Sequence, residues 1–256
     1  ALTSKEQQLF LTWINDGALS PANESAEEDP RNHWAFSKPV RPDLPLIAIA
    51  DWTYTPIDHF VRARAEAAGL QMSSDATPAH LIRRVYLDLS GLPPTPEQVR
   101  AFMADPSQDH YRKIVQQLLD SDAYAERWTR HWMDIWRYSD WYGRRNINDV
   151  RNSAPQIWRW RDWIIDSLRA DQGYDEMLRQ MLAADELNPD DDTTWPATGY
   201  LIRSYYSLNL NEWMRHNVEY TAKAFMGLTV NCAHCHDHKY DPIAHDDYFR
   251  LRAFFE

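Results

Sequence analysis

The chain has 256 residues, 44% of them hydrophobic, with a formal net charge of -11 and a mean hydropathy of -0.65. That is enough apolar material to bury a core of one large or two small domains, and no apolar run approaches bilayer-spanning length. The acidic balance excludes general nucleic-acid binding and docking on an anionic membrane, because both depend on an excess of Lys and Arg.

Helical periodicity dominates and strand alternation is scarce, so the expected fold class is all-α, an irregular multi-helix domain. Residues 1–10 are polar and carry no signal-peptide pattern. The start and the last residues, 251–256, both read as internal, so a segment of a longer polypeptide is expected. Thr3-Ser4 caps a first helix with Leu9, Phe10, Trp13 and Ile14 on one face, and Asp16-Gly17 ends it. Residues 18–46, rich in Pro, Asn, Asp and Glu, form a long linker, and residues 47–256 form the helical domain proper.

Within that domain, Pro56 opens a helix carrying Ile57, Phe60 and Val61. Thr77-Pro78 opens the next, with Leu81, Ile82, Val85 and Leu89, and Gly91-Leu92-Pro93-Pro94 stops it. Thr95-Pro96-Glu97 starts another, and Ile114, Val115, Leu118 and Leu119 stripe the one after. A helix over residues 121–138 repeats Trp128, Trp132 and Trp136 every four positions, with His131, Asp134, Ile135 and Tyr138 as an adjacent stripe. Helices over residues 155–168, 174–187 and 210–228 follow, and Asp241-Pro242 turns the chain into a final helix with Tyr248, Leu251, Phe254 and Phe255. Twelve Trp and thirteen Tyr stand against seven Gly. Such side chains build cores and also line cofactor and sugar pockets, and the core role is preferred here.

Only two Cys occur, three positions apart. A disulfide closing so short a loop would constrain little of the unfolded chain, so their role is chemical rather than structural. Cys232-Ala233-His234-Cys235-His236 has the C-x-x-C-H pattern of c-type haem attachment. Two thiols on one tight turn can reach the two vinyl groups of one porphyrin, and the next residue presents its imidazole to the iron. One covalent haem c is therefore expected at Cys232 and Cys235, with His236 as proximal ligand. Zinc held by both Cys and two of His234, His236, His238 and His245 is chemically sound, but the ligands are cramped in sequence. A redox dithiol would need a helix N-terminus, usually beside a strand.

The far side of the haem is open in the sequence. His131 is the first candidate for distal ligand or catalytic base, set against a buried His satisfied by a carboxylate or carbonyl; His216 and His238 are runners-up. His238, Lys239, Arg215 and Arg137 could bond a haem propionate. Asp190, Asp191 and Asp192 lack the calcium-loop spacing and read as a solvated acidic loop. Arg144, Arg145 and Arg151 form a local basic patch, read first as a solvated loop.

Several stretches in order resemble one family. They are Pro56-Ile57-Asp58, Leu81-Ile82-Arg83-Arg84-Val85-Tyr86-Leu87-Asp88-Leu89, Gly91-Leu92-Pro93-Pro94-Thr95-Pro96, Glu126-Arg127-Trp128, His131-Trp132 and Trp160-Arg161-Asp162-Trp163. Gly227-Leu228-Thr229-Val230 then runs into the cysteine motif and on through Asp237-His238-Lys239-Tyr240-Asp241-Pro242-Ile243. The chain is similar to the helical domain of unknown function found in large secreted proteins of planctomycetes and related bacteria, between a planctomycete-type cytochrome c domain and a PSD domain. The Trp141-Tyr142-Gly143-Arg144-Arg145 stretch departs from that pattern. The resemblance implies that residues 1–17 are the terminal helix of an upstream cytochrome c domain, with His33-Trp34-Ala35-Phe36 and Pro39-Val40-Arg41-Pro42 in the linker after it. It further implies a downstream PSD domain and a periplasmic, secreted or cell-surface location.

Three functions compete on these grounds. One is extracytoplasmic electron transfer through a six-coordinate haem to a redox partner protein. Another is a haem-dependent peroxidase or oxygenase with an open distal site. The third is a helical scaffold stapled by the haem.

Overall fold

The computed structural model describes residues 2–19, 29–48, 53–140, 156–203 and 209–256. Among these residues there are eleven α-helices and no strand, so the all-α expectation holds. The chain divides into two compact units, one of Ala1–Pro42 with Lys239–Pro242, the other of Asp43–His238 with Ile243–Glu256.

In the smaller unit, α1 (Ser4–Asn15) starts at a capping box: Glu6 N–H donates to Thr3 Oγ1 at 3.4 Å while Thr3 N–H donates to Glu6 Oε2 at 2.7 Å. Gly17 at φ 94° takes the left-handed turn that ends it. None of its residues is buried, and Leu9, Phe10, Trp13 and Ile14 are all exposed.

The larger unit holds three apolar clusters among the described residues. The first gathers α3 (Pro78–Ser90), α4 (Pro96–Ala104) and α5 (Gln108–Leu119) around Ile82, Val85, Phe102, Ile114 and Leu118. Thr77, Thr95 and Ser107 cap these three helices, each accepting a backbone N–H from the first turn. Before them, α2 (Pro56–Ala67) begins at Thr55 with Asp58 as its reciprocal cap.

The second cluster is the aromatic one. α6 (Asp122–Ile135) packs on α7 (Trp158–Arg169), and α8 (Tyr174–Leu187) packs on the turn Trp195–Thr198 and the short α9 (Gly199–Ile202). Trp136, Trp160, Trp163, Ile164, Met181 and Tyr200 are buried here. Of the Trp repeat, Trp136 is fully buried, Trp132 packs half-buried against the cluster, and Trp128 is half-buried outside it. Trp132 stacks on Trp136 with centroids 5.0 Å apart and planes 21° apart. The helix expected to reach residue 138 ends at Ile135: Trp136 caps it, and Arg137 turns the backbone out at φ 60°. The expected start at residue 155 lies outside the described residues, as do Trp141, Tyr142, Gly143, Arg144, Arg145 and Arg151.

The third cluster joins α10 (Leu210–Thr221), the cysteine turn and α11 (His245–Arg252) through Val218, Ala222, Val230, Ala233 and Tyr248. The helix predicted to run to residue 228 is α only to Thr221; Ala222–Met226 widens into a π-turn, and Gly227 at φ 67° breaks it. Leu228 N–H reaches back to the Ala222 carbonyl at 3.2 Å, which closes the helix end. The final helix, expected after the Asp241-Pro242 turn, starts at His245, with Ala244 N–H held by Asp247 Oδ2 at 3.0 Å.

Candidate functional site: the Cys232–His236 turn

The cysteine motif follows the Gly227 break and forms the 3₁₀ turn Asn231–His234. One residue of the turn points inward and its cysteines outward. Ala233 is fully buried against Val218, Ala222, Val230 and Tyr248, so the neighbouring Cys232 and Cys235 are carried to the outside. A larger residue at 233 would have to displace its neighbours in a close-packed interior. Cys235 N–H and His236 N–H both donate to the Cys232 carbonyl, at 3.2 and 3.3 Å, which holds the two cysteines and the histidine on one tight loop. Both thiols are free and exposed.

His236 is exposed, and its Nδ1 lies 2.7 Å from the Asp237 carbonyl oxygen. A carbonyl oxygen can only accept, so Nδ1 carries the hydrogen, and in the neutral ring Nε2 is the nitrogen that keeps its lone pair. That is the tautomer a metal-ligating imidazole needs, oriented by the backbone bond that such ligands commonly make. His234 does not share this arrangement: its Nδ1 is 3.4 Å from Cys235 Sγ, and its ring sits edge-on to Tyr248 at 5.2 Å.

A latch behind the turn fixes its pose. Asp237 Oδ1 accepts His245 N–H at 2.8 Å, and His245 Nδ1 donates to the Ala233 carbonyl at 2.8 Å. His238 N–H donates to the Ile243 carbonyl at 2.8 Å, closing the loop before α11. Beneath the turn, the nearly buried Glu219 pairs with Arg215 at 3.3 Å one helical turn away. Burial and then the Glu219 charge raise the Tyr248 hydroxyl pKa above its ordinary value, while Arg215 and Arg252 oppose the shift. That hydroxyl is itself buried and finds no partner among the described residues.

A family model described as PSCyt2, protein of unknown function (DUF1549), matches residues 56–256. The chain belongs to that family. No curated protein and no solved structure matches it. The matched PSCyt2 span opens at Pro56, the first residue of α2, and contains all three apolar clusters and the whole cysteine turn.

The other candidates in the PSCyt2 domain fall in separate places. Arg215 lies beside the turn through Glu219 and Tyr248. His216 stacks on Tyr220 at 5.3 Å, and the Arg137 guanidinium sits 3.8 Å over that same ring. Tyr220 is one residue past Glu219, about 100° round the helix, so this group occupies a different face of α10. Lys239 is exposed, with its ammonium 5.0 Å over the Tyr240 ring. His131 is exposed rather than buried, its ring 5.4 Å from Trp128, and it makes no hydrogen bond among the described residues. Asp134, one turn on, pairs with Arg130 instead. Asp190, Asp191 and Asp192 are exposed, and Asp191 Oδ1 accepts from Thr193 Oγ1 at 2.6 Å, a loop-forming bond. Among the described residues no three His, Cys, Asp or Glu side chains gather into a metal-holding group, so the zinc set around the cysteines is not assembled.

The latch residues Asp237 and His245 and the Ala233 anchor escape sequence reasoning, because their bonds run to backbone atoms brought together by folding. The Arg215–Glu219 pair carried a readable signal, the i, i+4 spacing of opposite charges.

Proposed function

We propose that this chain is a c-type cytochrome domain for extracytoplasmic electron transfer, holding one haem c through Cys232 and Cys235 with His236 as axial ligand. The observation that carries the proposal is the His236 imidazole. It is exposed, hydrogen-bonded through Nδ1 to the Asp237 carbonyl, and next to two free, exposed thiols on one turn. When bound, the haem supplies a one-electron couple. Each thiol adds across one vinyl group, sulfur to one carbon and hydrogen to the other, so attachment needs no external oxidant. The Asp237–His245 latch and the buried Ala233 hold the histidine and thiols in place while the partner approaches. The proposal extends to the setting that the sequence resemblance implies: a periplasmic, secreted or cell-surface protein, with an upstream cytochrome c domain and a downstream PSD domain in one polypeptide.

The test is expression with a c-type maturation system, followed by visible spectra of oxidised and reduced protein with and without carbon monoxide. Expected are a haem that stays with the polypeptide after denaturation, loss of attachment in Cys232→Ala/Cys235→Ala, and a low-spin spectrum indifferent to carbon monoxide. Polypeptide without covalent haem would remove the reading. Carbon monoxide binding to the reduced protein would replace electron transfer by the peroxidase or oxygenase reading. A change to high spin in His131→Ala would identify His131 as the sixth ligand; an unchanged spectrum would remove it.

A further inference from the structure

A cleft of about 320 Å³ opens in the aromatic part of the larger unit, among Gln156, Arg159, Trp160, Asp192, Trp195 and Thr198. It lies within the size range of small-molecule sites. One side of it is closely packed. Gly199 rests on Trp160 so closely that a Cβ there would be 2.5 Å from the Trp160 Cβ, and Trp160 belongs to the largest buried cluster. Trp195 is 42% exposed, and its Nε1–H donates to the Asn188 carbonyl at 3.0 Å, which sets the plane of the exposed indole. Thr198 Oγ1 donates to the Trp195 carbonyl at 2.8 Å, tying down the same turn.

The polar side chains at the rim are uncommitted. Gln156, Arg159 and Asp192 make no side-chain hydrogen bond or ion pair among the described residues, and the Arg159 guanidinium has only the Trp158 ring, 5.7 Å away. Together they offer a donor and acceptor amide, a cationic donor fork and an anionic acceptor beside one aromatic plate. An anionic ligand would meet Asp192, a cationic one would meet Arg159, and a purely apolar one would desolvate both without giving either a partner. A neutral ring with one C–H face and several hydroxyl groups satisfies every element at once. The hydroxyls both donate and accept, and the C–H face covers the indole.

We infer that this cleft is a carbohydrate subsite, binding one neutral hexopyranose unit with its C–H face on Trp195 and its hydroxyls bonded to Gln156, Arg159 and Asp192. The inference does not depend on the haem proposal, since every residue in it lies outside the cysteine turn.

The test is titration of the ¹⁵N-labelled full chain with methyl β-glucopyranoside, methyl β-galactopyranoside and methyl α-mannopyranoside, reading the Trp indole N–H resonances. Trp195→Ala assigns the Trp195 signal. At least one sugar is expected to shift that signal saturably, with a dissociation constant in the millimolar range. Asp192→Asn and Arg159→Gln, both at exposed positions, are each expected to weaken binding about tenfold while leaving the far-ultraviolet circular dichroism unchanged. No saturable shift from any of the three sugars up to about 50 mM would overturn the inference. Binding that is untouched by both rim substitutions would also overturn it, by placing the sugar elsewhere.

Discussion

Ala233 decides where the two thiols point, and replacing it by leucine measures how tightly the cysteine turn is anchored. Leucine adds three carbons at a position of 0% exposure, enclosed by Val218, Ala222, Val230 and Tyr248. If space were open, their burial would stabilise by roughly 0.8 kcal/mol each. In a close-packed cluster closed to solvent, the added volume has to displace a neighbour such as the Tyr248 ring or lift the turn, at a cost of about 1–3 kcal/mol. We expect Ala233→Leu to lose about 2 kcal/mol; with a urea slope of about 2 kcal/mol/M, the midpoint falls by about 1 M at unchanged slope. Asn231→Ala, an exposed change on the same turn, is the control and should stay within about 0.5 kcal/mol. Urea unfolding followed by Trp fluorescence reads both. Equal midpoints for Ala233→Leu and the unsubstituted chain would refute the burial argument, and with it the reason given for the exposure of Cys232 and Cys235.

Four further outcomes follow from the same packing. Gly199→Ala places a methyl against the Trp160 side-chain stem, 2.5 Å from its Cβ and 2.8 Å from its Cγ; a loss of about 1–3 kcal/mol is expected in urea unfolding, and an unchanged midpoint would show that the turn yields. Asp237→Ala removes the acceptor for His245 N–H and a carboxylate beside the first turn of α11, so a cost of about 1 kcal/mol is expected, with Asp237→Asn losing less. His131→Ala in haem-free protein should leave stability within about 0.5 kcal/mol, because the ring is exposed and makes no hydrogen bond among the described residues; a larger thermal shift would mean that it is packed. Burial raises the pKa of Tyr138, Tyr200 and Tyr248 above 10.0. With the folded pKa raised, the unfolded chain gives up the phenolic proton first, so the contribution is complete below the unfolded value of about 10 and is lost as pH rises from there through the folded pKa. Urea midpoints should fall above about pH 10, less steeply in Tyr248→Phe, and a flat profile to pH 11 would contradict the burial of these phenols.

Local chemistry was legible wherever a few neighbouring residues decide the conformation. Thr3 with Glu6, Thr77-Pro78, Thr95 with Gln98, and Gly91 start or stop helices by bonds and dihedrals confined to one turn. The end of the helix before the motif was not legible, because nothing nearer than Gly227 breaks its pattern. The π-turn at Ala222–Met226 goes with the packing of Val218 and Ala222 under Val230 and Ala233. The exposure of His131 was hidden for a related reason: it lies among the Trp positions of one helix, and only the packing of α6 against α3, α5 and α7 selects the buried side.

For the candidate site the division is sharper. The sequence alone determined the donor set, since C-x-x-C-H at residues 232–236 supplies two thiols and an imidazole within one turn's reach whatever surrounds them. It also determined the all-α class, through stripes that recur with the helical period. Tertiary structure decided which way that donor set faces. Ala233 turns inward because α10 and α11 meet beneath it, and His245, nine residues after His236, closes on the Ala233 carbonyl. It likewise placed Trp195 beside Arg159 and Asp192, residues that share no periodicity and meet only because α7 and the turn after α8 pack together. Spacing along a chain encodes what one turn can reach; contacts between distant segments exist only once the apolar faces have been buried.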